Sequence, residues 1–201
     1  GLHQKEDQVE VAFTTPAYWG NAYFQTEFDA QAEVVQQLEA ALQDALSGLD
    51  ETRMEPFGSK KGLEPKKLRK YHYMVAMPYL DDVEVLAEGT TYSNAVEQIQ
   101  AEAGDDLVYA VTYPEQKMAL LGIALTGDKG EKHFLPTIDF NEPRHTPFLP
   151  YEILVLDDRV VMLHGKYRIA LSFPDLTMGT FMKIMSTPVD IRDAMKALVV
   201  P

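Results

Sequence analysis

Residues 107–126 read LVYAVTYPEQKMALLGIALT, and residues 151–164 read YEILVLDDRVVMLH. Both stretches are dense in β-branched, aromatic and aliphatic residues and are broken by short polar corners, which predicts strands over 107–112, 117–126, 151–156 and 159–164. Two further runs of the same character, 132–139 and 166–173, are expected to be strands as well. The turn residues at 127–130 and the pair Asp157-Asp158 make antiparallel hairpins the simplest connections.

Working outward, 71–79 and 83–87 also read as strands, and 93–103 as a helix capped by Ser93 and ended by Gly104. The chain closes with expected helices at 175–185 and 188–199. The second has Thr187 as its cap, Pro188 in the first turn and Asp190 completing a capping box. Runs of strands bracketed by separate helices, without strict alternation, define an α+β fold: a largely antiparallel (mixed) sheet with helices packed on one face.

Toward the N-terminus, Phe28, Ala32, Val35, Leu38, Ala41, Leu42 and Leu46 recur at three- and four-residue steps, so 27–46 is expected to form one long amphipathic helix. Thr26 with Asp29 can form its capping box, and Gly48 suits a left-handed stop. Residues 9–13 read as a short strand and 15–21 as a loop, with Tyr18, Trp19, Tyr23 and Phe24 packing beside the helix. Residues 50–70 lack an apolar period and contain Pro56, Gly58, Gly62 and Pro65, so they read as a connector. The expectation is a single domain: strand and helix in 1–49, the connector in 50–70 and the α+β core in 71–201. The similar corners at 79–83 and 155–160 do not extend into alignable flanks, so no repeat is inferred.

The 201 residues include 46% hydrophobic and 24% charged residues, ordinary globular values. The formal charge is −13, yet six of the eleven residues from Lys60 to Lys70 are Lys or Arg. Counting Glu64, that segment carries +5 and the rest of the chain −18. Such a surface repels phosphate backbones outside the segment, so nucleic acid is not the expected partner. Cysteine is absent, which removes disulfides, thiol nucleophiles and Cys-type zinc sites. No run is long and apolar enough to span a bilayer. The chain begins Gly1-Leu2-His3 and not with Met, as expected of a trimmed, exported product.

Gly-rich phosphate loops, the nucleophile elbow and the two-His zinc helix are all missing. Gly58-Ser59-Lys60-Lys61-Gly62 is too short for a phosphate loop, and the segment 127–131 offers too few oxygens for a calcium loop. A noncatalytic binding module is therefore expected. Its candidate surface is the basic segment, with Lys60, Lys61, Lys66, Lys67, Arg69 and Lys70 supplying charge for an acidic protein or a small anionic ligand. Tyr71 and Tyr73 would add a stacking platform. Self-association through an edge strand is a further expectation. The alternative is a metal-dependent hydrolase without any other cofactor, in which His133, Asp139, Glu142 and His145 hold a divalent ion such as zinc. His72 and His164 read as interior or edge residues of strands. Met178, Phe181, Met182 and Met185 share a helical face expected to pack into the core.

Overall fold

The structure is a computed structural model that describes residues 1–49, 55–57, 63–127, 130–142, 144–145 and 150–200. A hairpin of β1 (Leu2–Lys5) and β2 (Gln8–Val11) opens the chain. Helices α1 (Pro16–Phe24) and α2 (Phe28–Leu46) follow, then the single turn α3 (Pro65–Leu68). The main body comprises β3 (Glu84–Glu88), α4 (Tyr92–Ala103), β4 (Leu107–Tyr113), β5 (Met118–Ile123), α5 (Glu131–Ile138), β6 (Tyr151–Leu156) and β7 (Arg159–Met162). It ends with α6 (Gly165–Ser172), α7 (Met178–Phe181) and α8 (Thr187–Ala197).

Five strands form one antiparallel sheet in the order β3-β7-β6-β5-β4. The β6–β7 corner is the expected Asp157-Asp158 pair, with Asp157 in a left-handed conformation at φ 52°. Its Nδ-less side chain accepts from Lys117 Nζ at 2.8 Å, tying this corner to the β4–β5 turn. One face of the sheet carries Ala119, Leu121, Ile123, Tyr151, Ile153, Val155 and Val160. These residues are buried under apolar side chains of α4, α5, α6 and α8. The α+β architecture, the antiparallel sheet and the long N-terminal helix are thus as the sequence implies. α4 ends at Gly104, whose φ of 50° favours glycine.

A second apolar cluster lies on the other side of α6. It is built from Ala22 of α1, Leu68 of α3, Tyr71, and Tyr167, Ala170 and Leu171 of α6. Being enclosed on both sides, α6 buries Tyr167, Arg168, Ile169, Ala170 and Leu171 together. Tyr167, Ile169, Leu171 and Phe173 alternate as a strand does, which explains the strand expected at 166–173. A helix buried all round shows no apolar stripe to betray it.

Other local expectations are corrected too. Residues 132–139 are largely helical in α5, because a short apolar run does not distinguish the two periods. Residues 71–79 form turns and bends, not a strand. The segment expected as a loop at 15–21 starts α1, with Thr15 accepting from Tyr18 N at 3.3 Å. At α4 the cap is Thr91, not Ser93, and at α8 Ser186 precedes the helix without a side-chain cap bond. The Thr26–Asp29 box does not form, because Thr26 lies within a 3-10 turn, Gln25–Glu27, that runs on into α2, and Asp29 pairs with Arg69. Residues 175–185 contain only α7 and a following 3-10 turn, Met182–Ile184. On that face Phe181 alone is buried, whereas Met178, Met182 and Met185 are exposed.

Candidate functional site

The basic segment is held by Arg69. Its guanidinium makes two bonds to the Asp29 carboxylate, at 2.8 and 3.1 Å, donates from Nε to Asn21 Oδ1 at 2.8 Å and lies 4.7 Å from the Phe28 ring centre. The bidentate bond and charge of Arg69 hold the Asp29 carboxyl below its ordinary range. Arg69 therefore fastens α3 to α1 and α2 and is withdrawn from the candidate ligand surface. Lys66, Lys67 and Lys70 are exposed, and none forms an ion pair among the described residues. Lys60 and Lys61 lie outside the described residues.

Tyr71, expected as part of a stacking platform, is buried, and Tyr73 is partly buried. The Tyr71 hydroxyl donates to Ala170 O at 2.8 Å, Tyr73 to Leu176 O at 2.7 Å and Tyr18 to Leu171 O at 2.7 Å. Helix C-termini leave carbonyls without helical partners, and Ala170 and Leu171 belong to the last turn of α6. Tyrosine supplies a donor at the end of an apolar ring, so the same residue fills the second cluster and satisfies that buried helix end. Burial is the main reason that the Tyr18 and Tyr71 phenols are pushed well above their ordinary range, and Tyr167 is pushed up to about 12.

The four candidate metal ligands do not form a ligand set. His133 is exposed on α5, whereas Asp139, just past the end of that helix, is buried. Asp139 Oδ1 accepts from the backbone N–H of His145 at 2.9 Å. Glu142 pairs with Arg144 at 3.2 Å and Lys5 at 3.6 Å. Burial alone would raise the Glu142 carboxyl, but Arg144, Lys5 and His3 outweigh it and hold it below its usual range. The His145 ring is turned inward, with Nε2 3.0 Å from Asp175 Oδ1 and its edge against Phe173. Among the described residues, no three His, Asp or Glu side chains are grouped to hold a metal ion.

His72 stacks on Tyr79 at 4.3 Å between ring centres, with Nε2 3.0 Å from Met77 O. His164 is the N-cap of α6: Nδ1 accepts from Lys166 N at 3.2 Å, while Nε2 lies 3.3 Å from Glu84 Oε1. One neutral tautomer satisfies both contacts. Burial lowers the His164 pKa from 6.5, with Glu84 and Asp82 opposing the shift and Lys166 and Arg192 adding to it. A depressed folded pKa contributes stability that is fully present above the unfolded value and is lost as pH falls through the folded one. Between pH 8 and 5 the wild type should therefore lose stability through this group. His164→Asn, which keeps a capping oxygen but does not titrate, should show a flatter profile of denaturation midpoint against pH. Parallel profiles for the two proteins would remove His164 from the pH response.

The residues missed by sequence reasoning are Arg168 and Glu152, whose Nε and Oε2 lie 2.9 Å apart. The strictly apolar flanks of Glu152 in β6 were the available signal, because a lone charge in such a strand needs a partner. Comparison with protein-family models, curated proteins and solved structures finds no match to this chain.

Proposed function

We propose that this α+β protein is a noncatalytic binding module that captures an acidic peptide segment of another protein through its basic connector. The observation behind this reading is that Lys66, Lys67 and Lys70 remain exposed without ion pairs among the described residues, while Arg69 anchors the same short segment. A cationic patch on a fastened element presents charge without ordering a free loop on binding. The surrounding acidity disfavours nonspecific capture of polyanions and limits attraction to this patch.

The test is fluorescence anisotropy with a labelled oligo-glutamate peptide. Binding should weaken sharply as salt rises from roughly 50 to roughly 300 mM, because exposed charges are screened over about a Debye length. The triple variant K66E/K67E/K70E should weaken binding by roughly tenfold or more at low salt, with three exposed contacts contributing a few tenths to about 1 kcal/mol each. Equal affinity of wild type and variant would overturn the proposal. Inorganic phosphate competing as well as the peptide would identify a small-anion site instead.

A further inference from the structure

The chain that follows the basic segment folds into a turn that holds an aliphatic side chain in water. Met77 N donates to Met74 O at 3.0 Å, closing a β-turn with Val75 and Ala76 at its centre. Ala76 has φ 68°, the left-handed value that a type II turn requires at this position and that glycine or asparagine ordinarily supplies. An alanine there is strained, and backbone strain of this kind is concentrated at binding and switch segments. Val75, beside it, is 91% exposed, more than any other large hydrophobic residue among the described residues.

The turn is braced on both sides. His72 Nε2 donates to Met77 O at 3.0 Å, and its ring stacks on Tyr79 at 4.3 Å between centres. Tyr73 is tied to Leu176 O before the turn, and Tyr79 N donates to Asp82 Oδ2 at 2.8 Å after it. Val75 therefore stands on a fixed element, and Tyr79, 48% exposed over the His72 ring, extends the apolar surface of the same loop. The tip lies five residues beyond Lys70, at most about 18 Å along the chain. Exposed Lys66, Lys67 and Lys70, on the element that Arg69 fastens, and the apolar tip thus belong to one anchored stretch.

We infer that the acidic segment captured by this protein carries a large apolar residue beside its acids, which packs on Val75 while the lysines hold the carboxylates. The inference rests on the acidic-peptide reading above and narrows it to an acidic and hydrophobic motif. Charge complementarity accounts for the acidic part of that partner, since the lysines are exposed cations in a chain of formal charge −13. The tip accounts for the rest. Carboxylates alone would leave Val75 in water, whereas an aliphatic or aromatic neighbour would remove apolar surface from solvent on both sides of the contact. Because the turn is already fixed, that contact forms without ordering a free loop. Burial of apolar surface is also insensitive to the screening that weakens exposed charge pairs, so the two parts of the motif respond differently to salt.

The test compares two labelled peptides of equal charge, oligo-glutamate with one central leucine and the same peptide with a central serine. The wild type should bind the leucine peptide at least about fivefold more tightly. That ratio should persist from roughly 50 to roughly 300 mM salt, while both affinities fall. Val75→Ser should bring the ratio close to one with unchanged circular dichroism, and Val75→Leu should keep it. Equal affinity of the wild type for the two peptides overturns the inference and leaves the acidic-peptide reading standing. Failure of both peptides to bind removes that reading and the inference with it. A ratio that survives in Val75→Ser places the apolar contact elsewhere and also overturns the inference. So does sedimentation of the wild type, but not of Val75→Ser, with phosphatidylserine vesicles when neither peptide competes, since the tip would then be a lipid contact.

Discussion

Replacing Arg168 by Met should destabilise the protein by about 3 kcal/mol or more, because removal of one partner from a buried ion pair leaves the other uncompensated. Arg168 has 7% of its side chain exposed and Glu152 28%, with Nε and Oε2 2.9 Å apart. The guanidinium also donates to Pro150 O and lies 4.8 Å from the centre of the Tyr151 ring, so it joins α6 to the start of β6. Glu152→Leu should cost at least as much, since it strands the more deeply buried partner. Combining Arg168→Met with Glu152→Leu should recover much of the loss, as an apolar pair needs no charge compensation. Urea denaturation of the four proteins checks this ordering. Strict additivity of the two single losses would mean that the ion pair does not couple the helix to the sheet.

The second large effect is expected at Tyr71. Tyr71→Ala should cost about 3–5 kcal/mol by emptying a ring-sized volume in the second cluster. Tyr71→Phe should cost roughly 1–3 kcal/mol through the lost bond to Ala170 O, which is buried in the last turn of α6. Comparing the two variants separates ring packing from helix-end satisfaction. Neither change should alter affinity for the acidic peptide once the variants are compared under conditions where both are folded. A loss of peptide affinity in Tyr71→Phe without loss of stability would return this tyrosine to the binding surface.

The contrast between Tyr71 and Lys66 shows what sequence proximity conceals. Both sit in or beside the basic segment, and charge alone identifies the lysines as surface candidates. Nothing in the local sequence reveals that Tyr71 points to a helix a hundred residues later. The same holds for Arg69, whose role is set by Asn21 and Asp29, and for His145, whose ring faces Asp175. The proposed metal set failed for a related reason. Four ligand-type residues lay close along the chain, but His133 is exposed on α5 while Asp139 is buried, and Glu142 and His145 take other partners.

By itself, the sequence determined the α+β class, the antiparallel strands at 107–112 and 151–156, the Asp157-Asp158 corner and the amphipathic character of the N-terminal helix. These follow from local backbone preferences and from apolar periodicity, which neighbouring residues carry in full. Only the tertiary structure decided that 166–173 is a helix, because burial on both sides erases the stripe by which a helix is recognised. Tertiary structure likewise decided which sheet face meets α4, α5 and α8, which tyrosines close the end of α6, and which lysines of the basic segment stay exposed among the described residues. Those outcomes depend on contacts between residues far apart in the chain, whose side chains acquire partners only when the two clusters assemble around α6.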